Sequence, residues 1–468
     1  MEYRIHAMRF VPTATILSLV GALVGCGSST PSTPTADAGA GTDVVTVTDT
    51  GNITPTDTPT VTDTGGGGGG SDAAVVNAEV ETLVREAAMN NWAIINRSRG
   101  MMMHGCTGAT RPQDCLADLP APSDADIGEG RSALPNAHLK VLLTSQGRST
   151  YWTRASANGR FVARGTKMYD LQRGVEMNAN GAMYDPAFFP DDSGFTYQPG
   201  GRLCPMTMLT TGEPTALAIT GTGSECTGSS VALYQHLGAA LGGEDYWASA
   251  AGTAAWDDGG RAVQLTETRR NEAWTANARV SLSLMSNTGT GFRFVTSRNV
   301  TTPFQGDAVI SPSGRALFTR YVDEAGAYQG YVLHRLAATR NGNAINAEIT
   351  ELARYNIMGA KVAFSYDERY VVFHHYIGGG AHADEDAQEL GFENAGASEF
   401  SGYASMGASN IYLLDLLTGQ RTRITTMQPG QYALFPHFRS DGWIYFLVRT
   451  LGMSRESVIA SDAALVGR

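Results

Sequence analysis

The stretch "FPHFRSDGWIYFLVR", residues 435–449, holds a short aromatic run, a turn signal at Ser440-Asp441-Gly442 and then an apolar strand. Gly accepts positive φ, and an Asp, Asn or Ser before it hydrogen-bonds nearby backbone, so such a pair suits a tight turn between antiparallel strands. The layout recurs upstream. "TRASANGRFVARG" carries Asn158-Gly159 and "DPAFFPDDSGFTYQ" carries Ser193-Gly194. "TAAWDDGGRAVQL" carries Asp258-Gly259 and "AVISPSGRALFTRY" carries Ser313-Gly314. "KVAFSYDERYVVFHHY" carries Asp367-Glu368, with the glycine lost, and Asp441-Gly442 closes the series. These are six copies of one unit. Asp258, Asp367 and Asp441 stand where the other copies have Asn158, Ser193 and Ser313, and a position shared in this way marks a turn former rather than one of a catalytic carboxylate pair.

Several copies are followed by a second hairpin, clearest in "NIYLLDLLTGQRTRIT", residues 410–425, with its Thr418-Gly419 turn. Four strands per unit, repeating every ~40–60 residues, are what a propeller blade requires. The expected class is therefore all-β, a β-propeller with a short N-terminal helical segment. The last unit supplies "ALFPHF", "GWIYFLVR" and "SVIASDAAL", three strands where four are needed. "HLKVLLTS", residues 138–145, lies before the first unit without a partner and is expected to complete the last blade, closing the ring and removing sheet edges.

"FRSDGWIYF" and "SNIYLLDLLTGQRTRIT" resemble the repeats of TolB-type, WD-like β-propellers, which also precede the catalytic domain of prolyl oligopeptidases. The resemblance spans residues 136–468, strong in the last two units, fair in the fourth and weak in the second and third. It implies six blades, with seven as the alternative if one unit is unrecognised. The prolyl oligopeptidase reading would need a Gly-x-Ser-x-Gly elbow on an α/β domain, and no such motif occurs.

Composition agrees with a turn-rich β protein. The 468 residues are 42% hydrophobic and 9% aromatic, with 55 glycines and only 17% charged residues. Net charge is −11 and the basic residues are scattered, so a nucleic-acid partner is not expected.

The N-terminus points to export. Arg4 and Arg9 flank the apolar run "TATILSLVGALVG", residues 13–25, which is too short to span a bilayer and ends at Leu23-Val24-Gly25-Cys26. This resembles a bacterial lipoprotein signal peptide, residues 1–25, and the resemblance implies that Cys26 carries the acyl chains. The implied address is the bacterial cell envelope, lipid-anchored at the outer membrane, on its periplasmic face or the cell surface. Residues 26–72 are rich in Thr, Pro, Asp and Gly and read as a disordered tether with a mean reach of about 35–40 Å. Residues 73–135 form a helical, cysteine-bearing segment, with Val76, Val80, Leu83, Val84 and Ala87 at helical spacing. Four cysteines remain, Cys106, Cys115, Cys204 and Cys226, an even count that suggests two disulfides in an exported chain. Local pairing, Cys106 with Cys115 and Cys204 with Cys226, is expected among the three connectivities.

The densest candidate site is the insertion in the fifth unit, residues 373–410, with His374, His375, His382, Asp384, Glu385 and Asp386. Imidazoles near carboxylates can hold a divalent cation, although the spacing matches neither His-Glu-x-x-His nor an EF-hand. No other cofactor is indicated. The insertion is the first choice for a partner- or ion-binding surface. His437 and Arg439, on what should be an innermost strand, make the channel mouth a second candidate. The expected function is binding or scaffolding of an envelope protein or glycan rather than catalysis. The alternative is a metal-dependent hydrolase or lyase working at the channel mouth.

Overall fold

The computed structural model describes residues 60–61, 77–87, 116–146, 153–164, 167–178, 186–197, 203–207, 234–252, 274–288, 292–325, 327–380 and 382–466. Two short strands, β1 (Thr60–Val61) and β2 (Arg131–Ser132), precede β3 (Leu139–Gln146). Sheet I follows with β4 (Thr153–Ala155), β5 (Phe161–Arg164), β6 (Lys167–Asp170) and β7 (Val175–Asn178). Sheet II has β8 (Ala187–Phe188), β9 (Gly194–Tyr197) and β10 (Cys204–Thr207). Sheet III has β11 (Tyr234–Gly242), β12 (Asp245–Gly252), β13 (Arg279–Asn287) and β14 (Phe292–Thr301). Sheet IV has β15 (Gln305–Ile310), β16 (Ala316–Val322), β17 (Tyr328–Asn341) and β18 (Ala344–Tyr355). Sheet V has β19 (Ala360–Phe364), β20 (Tyr370–Ile377), β21 (Ala408–Asp415) and β22 (Arg421–Arg423), after which β23 (Thr425–Thr426) pairs β2. Sheet VI has β24 (Gln431–Phe438), β25 (Ile444–Thr450) and β26 (Arg455–Ser461), and its fourth strand is β3.

This is a β-propeller. Within each sheet the strands run as antiparallel neighbours, and one parallel ladder pair, Ser409 with Tyr432, links sheets V and VI. The first strands meet in cyclic order, β4 with β8, β8 with β11, β11 with β15, β15 with β19, β19 with β24, and β24 with β4. The ring closes as expected from residues 138–145: β3 pairs antiparallel with β26 from Leu139–Ser461 to Gln146–Arg455. That pairing removes an edge from the last sheet and ties the start of the domain to its end without a covalent bond.

Burial explains why the decisive stretch reads as continuously apolar instead of alternating. Sheets packed face to face bury both sides of their middle strands, so Ile444 to Val448 are each at most 1% exposed. The outer strand β18, half of which faces solvent, alternates exposed and buried residues over most of its length. The core between sheets IV and V is aromatic: Phe318 stacks on Tyr331 at 4.9 Å, and the Tyr355 hydroxyl donates to Leu416 O at 2.7 Å. Burying each such ring contributes roughly 1.5–3 kcal/mol. The helix over residues 78–87 lays Val80, Leu83 and Val84 into this core, the stripe its spacing predicts.

The repeated turn has a refined register. Its i to i+3 hydrogen bond runs from the N–H of Gly159, Asp192, Gly314, Glu368 and Gly442 to the carbonyl of Ser156, Phe189, Ser311, Ser365 and Arg439. All five donors have positive φ, between 58° and 97°. Two expectations are thereby corrected. In sheet II the turn position is Asp192, not Gly194, which begins β9 and pairs back to Phe189. In sheet III the first turn joins Gly242 to Asp245; Asp258 and Gly259 fall between the second and third strands, outside the described residues.

Asp192 and Glu368 occupy a conformation that favours glycine, which costs about 1–3 kcal/mol each. Each is offset by what its carboxylate reaches. Asp192 accepts from Ala157 N at 2.6 Å and Asn158 N at 3.0 Å, and Glu368 accepts from Ser313 N at 2.6 Å. A carboxylate at this position thus caps the turn of the preceding sheet, which a glycine cannot do.

Candidate partner-docking site

Antiparallel strands place the first turns at one end of the ring and the connections between second and third strands at the other. The two ends differ in chemistry.

At the turn end the sequence candidates are buried. Arg439 is fully buried, donates to Tyr445 Oη at 2.9 Å and Asp441 Oδ2 at 2.7 Å, and packs over the Tyr445 ring. It also fills the space beside Gly159, where an added Cβ would lie 2.7 Å from Arg439 Cδ and from Tyr445 Oη. Ser440 N donates to Ala157 O at 2.8 Å, so sheets VI and I join here. His437 is 4% exposed and its Nδ1 donates to Phe435 O, while burial pushes its pKa down to about 3, helped by the nearby Arg154. Burial raises the Asp192 carboxyl well above the usual carboxylate range, against its two backbone donors. Asp367 accepts from the Ser365 hydroxyl and Arg369 N inside its own turn. Asn158 Oδ1 likewise accepts from Arg160 N at 2.9 Å. His437 and Arg439 are therefore packed into sheet junctions and not presented at an open channel mouth.

On the same side, Leu241, Trp247, Gly314 and Leu336 line a groove between sheets III and IV. Glu86 at its rim takes Arg315 at 3.2 Å and Arg335 at 3.0 Å, which pins the N-terminal helix to sheet IV.

At the opposite end, the insertion between β20 and β21 is folded. It contains helices Ala383–Glu389 and Ser401–Met406 around a small core of Ile377, Ala387, Phe400, Tyr403 and Ala408. Glu389 clips it to sheet V through Arg421 at 2.6 Å and through its carbonyl to Arg423 at 2.8 Å. The candidate ligands separate. His374 and His375 are consecutive on β20 and so point to opposite faces. His374 is fully buried and sits edge-on to Tyr376 and Phe435. His375 pairs with Asp386 at 2.7 Å, both buried, and so ties the insertion to its strand. His382 pairs with exposed Glu385 at 2.9 Å, and Asp384 accepts from Ala395 N at 2.8 Å. Among the described residues no three His, Cys, Asp or Glu side chains converge to hold a cation.

What this end of the ring does carry is exposed apolar side chains. Four large hydrophobic side chains among the described residues are more than a third exposed, and three lie at this end of the ring: Met406 (43%), Leu451 (39%) and Met453 (37%). Met406 ends the second insertion helix, and its carbonyl accepts from the Tyr432 hydroxyl. Leu451 N donates to Gly430 O at 2.8 Å, and Met453 lies in the same β25–β26 turn. Pro429 packs against Gly402 between them. Asp384, Glu385, Glu393 and Glu399 are exposed on the same insertion. Exposed apolar patches with polar rims mark interaction sites. Sequence reasoning found the insertion but missed Leu451 and Met453; the signal was two large apolar residues in the turn "TLGMS", where polar residues are the norm.

Cys204, at the head of β10, is fully buried and disulfide-bonded, whereas Cys26, Cys106, Cys115 and Cys226 lie outside the described residues. The same holds for residues 1–25, expected to be a signal peptide, and for nearly all of residues 26–72, expected to be a tether.

No family model matches the chain, and no curated protein matches it. Among solved structures, it is similar to the β-propeller domain of Cps50 (Swd1) from Myceliophteria thermophila, at 10% identity and a TM-score of 0.36, covering 69% of this chain and 99% of that one. It is also similar to an oligogalacturonate lyase from Vibrio parahaemolyticus, at 9% identity and a TM-score of 0.35, covering 72% and 96%. A putative TolB from Agrobacterium tumefaciens matches at 13% identity and a TM-score of 0.33, covering 64% and 77%. Likenesses this distant carry no argument about function; the propeller rests on the sheet topology itself.

Proposed function

We propose that this protein is a lipid-anchored component of a bacterial envelope, held through Cys26, whose propeller docks another envelope protein on the insertion end. We read the ring as six-bladed. The observation that carries the docking reading is the exposure of Met406 at the end of the folded insertion and of Leu451 and Met453 in the β25–β26 turn at the same end of the ring. Methionine is enriched at the cores of protein interfaces, and flexible thioethers adapt to a partner's surface. Exposed apolar surface of this kind favours a protein over a glycan, and the acidic residues of the insertion favour a partner with a basic rim.

The test is co-purification after cross-linking in intact cells, with wild type and a Met406→Asp/Leu451→Asp/Met453→Asp variant. One specific partner should be recovered with wild type and lost with the variant, at an unchanged melting temperature. Equal recovery by both overturns the docking face. The anchor is tested separately: Cys26→Ser should move the protein from the membrane to the soluble fraction, and retention refutes lipidation.

A further inference from the structure

We propose that the groove between sheets III and IV is a strand-addition site for an extended peptide of a partner protein, one that alternates apolar and acidic side chains. The site is independent of the insertion end and stands on the edge of β17.

β16 and β17 pair as far as Ala316 with Arg335, and one further bond, from Leu336 N to Arg315 O at 2.7 Å, ends their ladder. Before Ala316 the chain belongs to the Ser311–Gly314 turn, whereas β17 runs on against β18 alone, from Leu336 with Ile349 to Asn341 with Ala344. In an antiparallel ladder, alternate residues direct their N–H and C=O to the same neighbour. Leu336 directs its N–H toward the β16 side, so Ala338 and Arg340 direct theirs that way too, into the groove. Among the described residues no strand pairs with β17 there, and Ala337, Thr339 and Arg340 are exposed. Such an edge is a template for one more strand. It sits on a third strand, outside the first turns that lock the ring.

The groove encloses about 640 Å³, inside the roughly 300–1,000 Å³ range of ligand sites. Its two faces differ, and the difference selects the occupant. On the sheet III face Trp247 packs in one core with Leu336 and Ala338. Arg335, one residue before Leu336, faces the other way, and with Arg315 it holds the single Glu86 carboxylate. At the outer end Arg340 meets Asp245 at 3.4 Å. Three arginines against two carboxylates make this lining positive in a chain of net charge −11. Side chains of an added strand alternate between the faces. An apolar residue on Trp247 therefore has neighbours that face Arg315 and Arg335, where carboxylates are favoured. Backbone bonds to Ala338 and Arg340 supply affinity, and the alternation supplies specificity.

Fluorescence anisotropy of a labelled TVDVDT peptide with the purified full chain tests this. Half-saturation is expected below about 1 mM. On binding, hydrogen exchange at Ala338 and Arg340 should slow, while Thr339, already bonded to β18, should not change. A TVKVKT peptide should bind at least about fivefold more weakly. Ala338→Pro removes a donor that faces the groove and no bond to β18, and should weaken binding roughly fivefold. Arg335→Gln, which leaves the backbone untouched, should weaken it about threefold and reduce its salt dependence. The proposal is overturned if TVDVDT does not bind, if TVKVKT binds equally, if exchange at Ala338 and Arg340 is unmoved, or if neither variant weakens binding. A dimer in sedimentation that Ala338→Pro dissociates would put a second copy of the chain on this edge and overturn it as well.

Discussion

The two ends of the propeller are built from the same strands and solve opposite problems. At the turn end, buried polar groups are held by hydrogen bonds: Arg439 to Asp441 and Tyr445 within sheet VI, and the turn of sheet I to Asp192 of sheet II. At the insertion end, Met406, Leu451 and Met453 are each more than a third exposed. Buried, hydrogen-bonded charge is costly to disturb and of little use to a partner, while exposed apolar surface adds little to stability and much to association. The turn end holds the ring together, and the insertion end offers a surface.

That contrast can be broken most sharply at Arg439. Arg439→Ala should cost about 3–5 kcal/mol, because it leaves Asp441 without its buried partner and opens a void beside Gly159. Chemical denaturation measures this, and a loss below about 1 kcal/mol would show that the junction of sheets VI and I is not held as described. Asp192→Ala should cost roughly 1–3 kcal/mol through the two abandoned backbone donors. Asp192→Gly should cost about 1 kcal/mol less than Asp192→Ala, since both lose the cap but only glycine relaxes at φ 62°. Equal losses would remove backbone strain from the account.

Acid should weaken the buried interior through its histidines. His334 bonds Gln305 and Thr319, and burial lowers its pKa to about 4, below the ~6.5 of an unfolded chain. The unfolded state binds the proton first, so stability from this group is complete above pH ~6.5 and is lost as pH falls toward about 4. The loss amounts to roughly 2 kcal/mol at pH 5. His334→Gln should flatten the stability–pH curve in that window, and an unchanged slope would contradict neutral burial. The smallest stability effect belongs to the insertion end: Met406→Asp/Leu451→Asp/Met453→Asp should stay within ~0.5 kcal/mol of wild type.

The sequence made the fold legible because a turn is local. Asp-Gly pairs and the apolar runs beside them report strand-turn-strand units directly, and the unpaired run at residues 138–145 disclosed the ring closure. The register failed where a non-glycine residue took positive φ. Asp192 holds that conformation through hydrogen bonds to a turn about 35 residues away, and pattern reading does not see so distant a contact. The candidate site was legible only as an insertion. Its histidines and carboxylates looked like ligands because they are close in sequence, but strand alternation sends His374 and His375 apart and the helix turns Asp386 back toward His375. The exposed apolar side chains that replace them, Met406 and Leu451, come from segments 45 residues apart, brought to one end of the ring only by the fold.

The central claim, a partner docked on the insertion end, is tested most directly by methionine oxidation footprinting of wild-type protein, purified and in intact cells. Met406 and Met453 should oxidise readily in the purified protein and be protected in the envelope. The fully buried Met168, Met285 and Met427 should stay protected in both, as internal controls. Equal oxidation of Met406 and Met453 in the two settings would contradict the account.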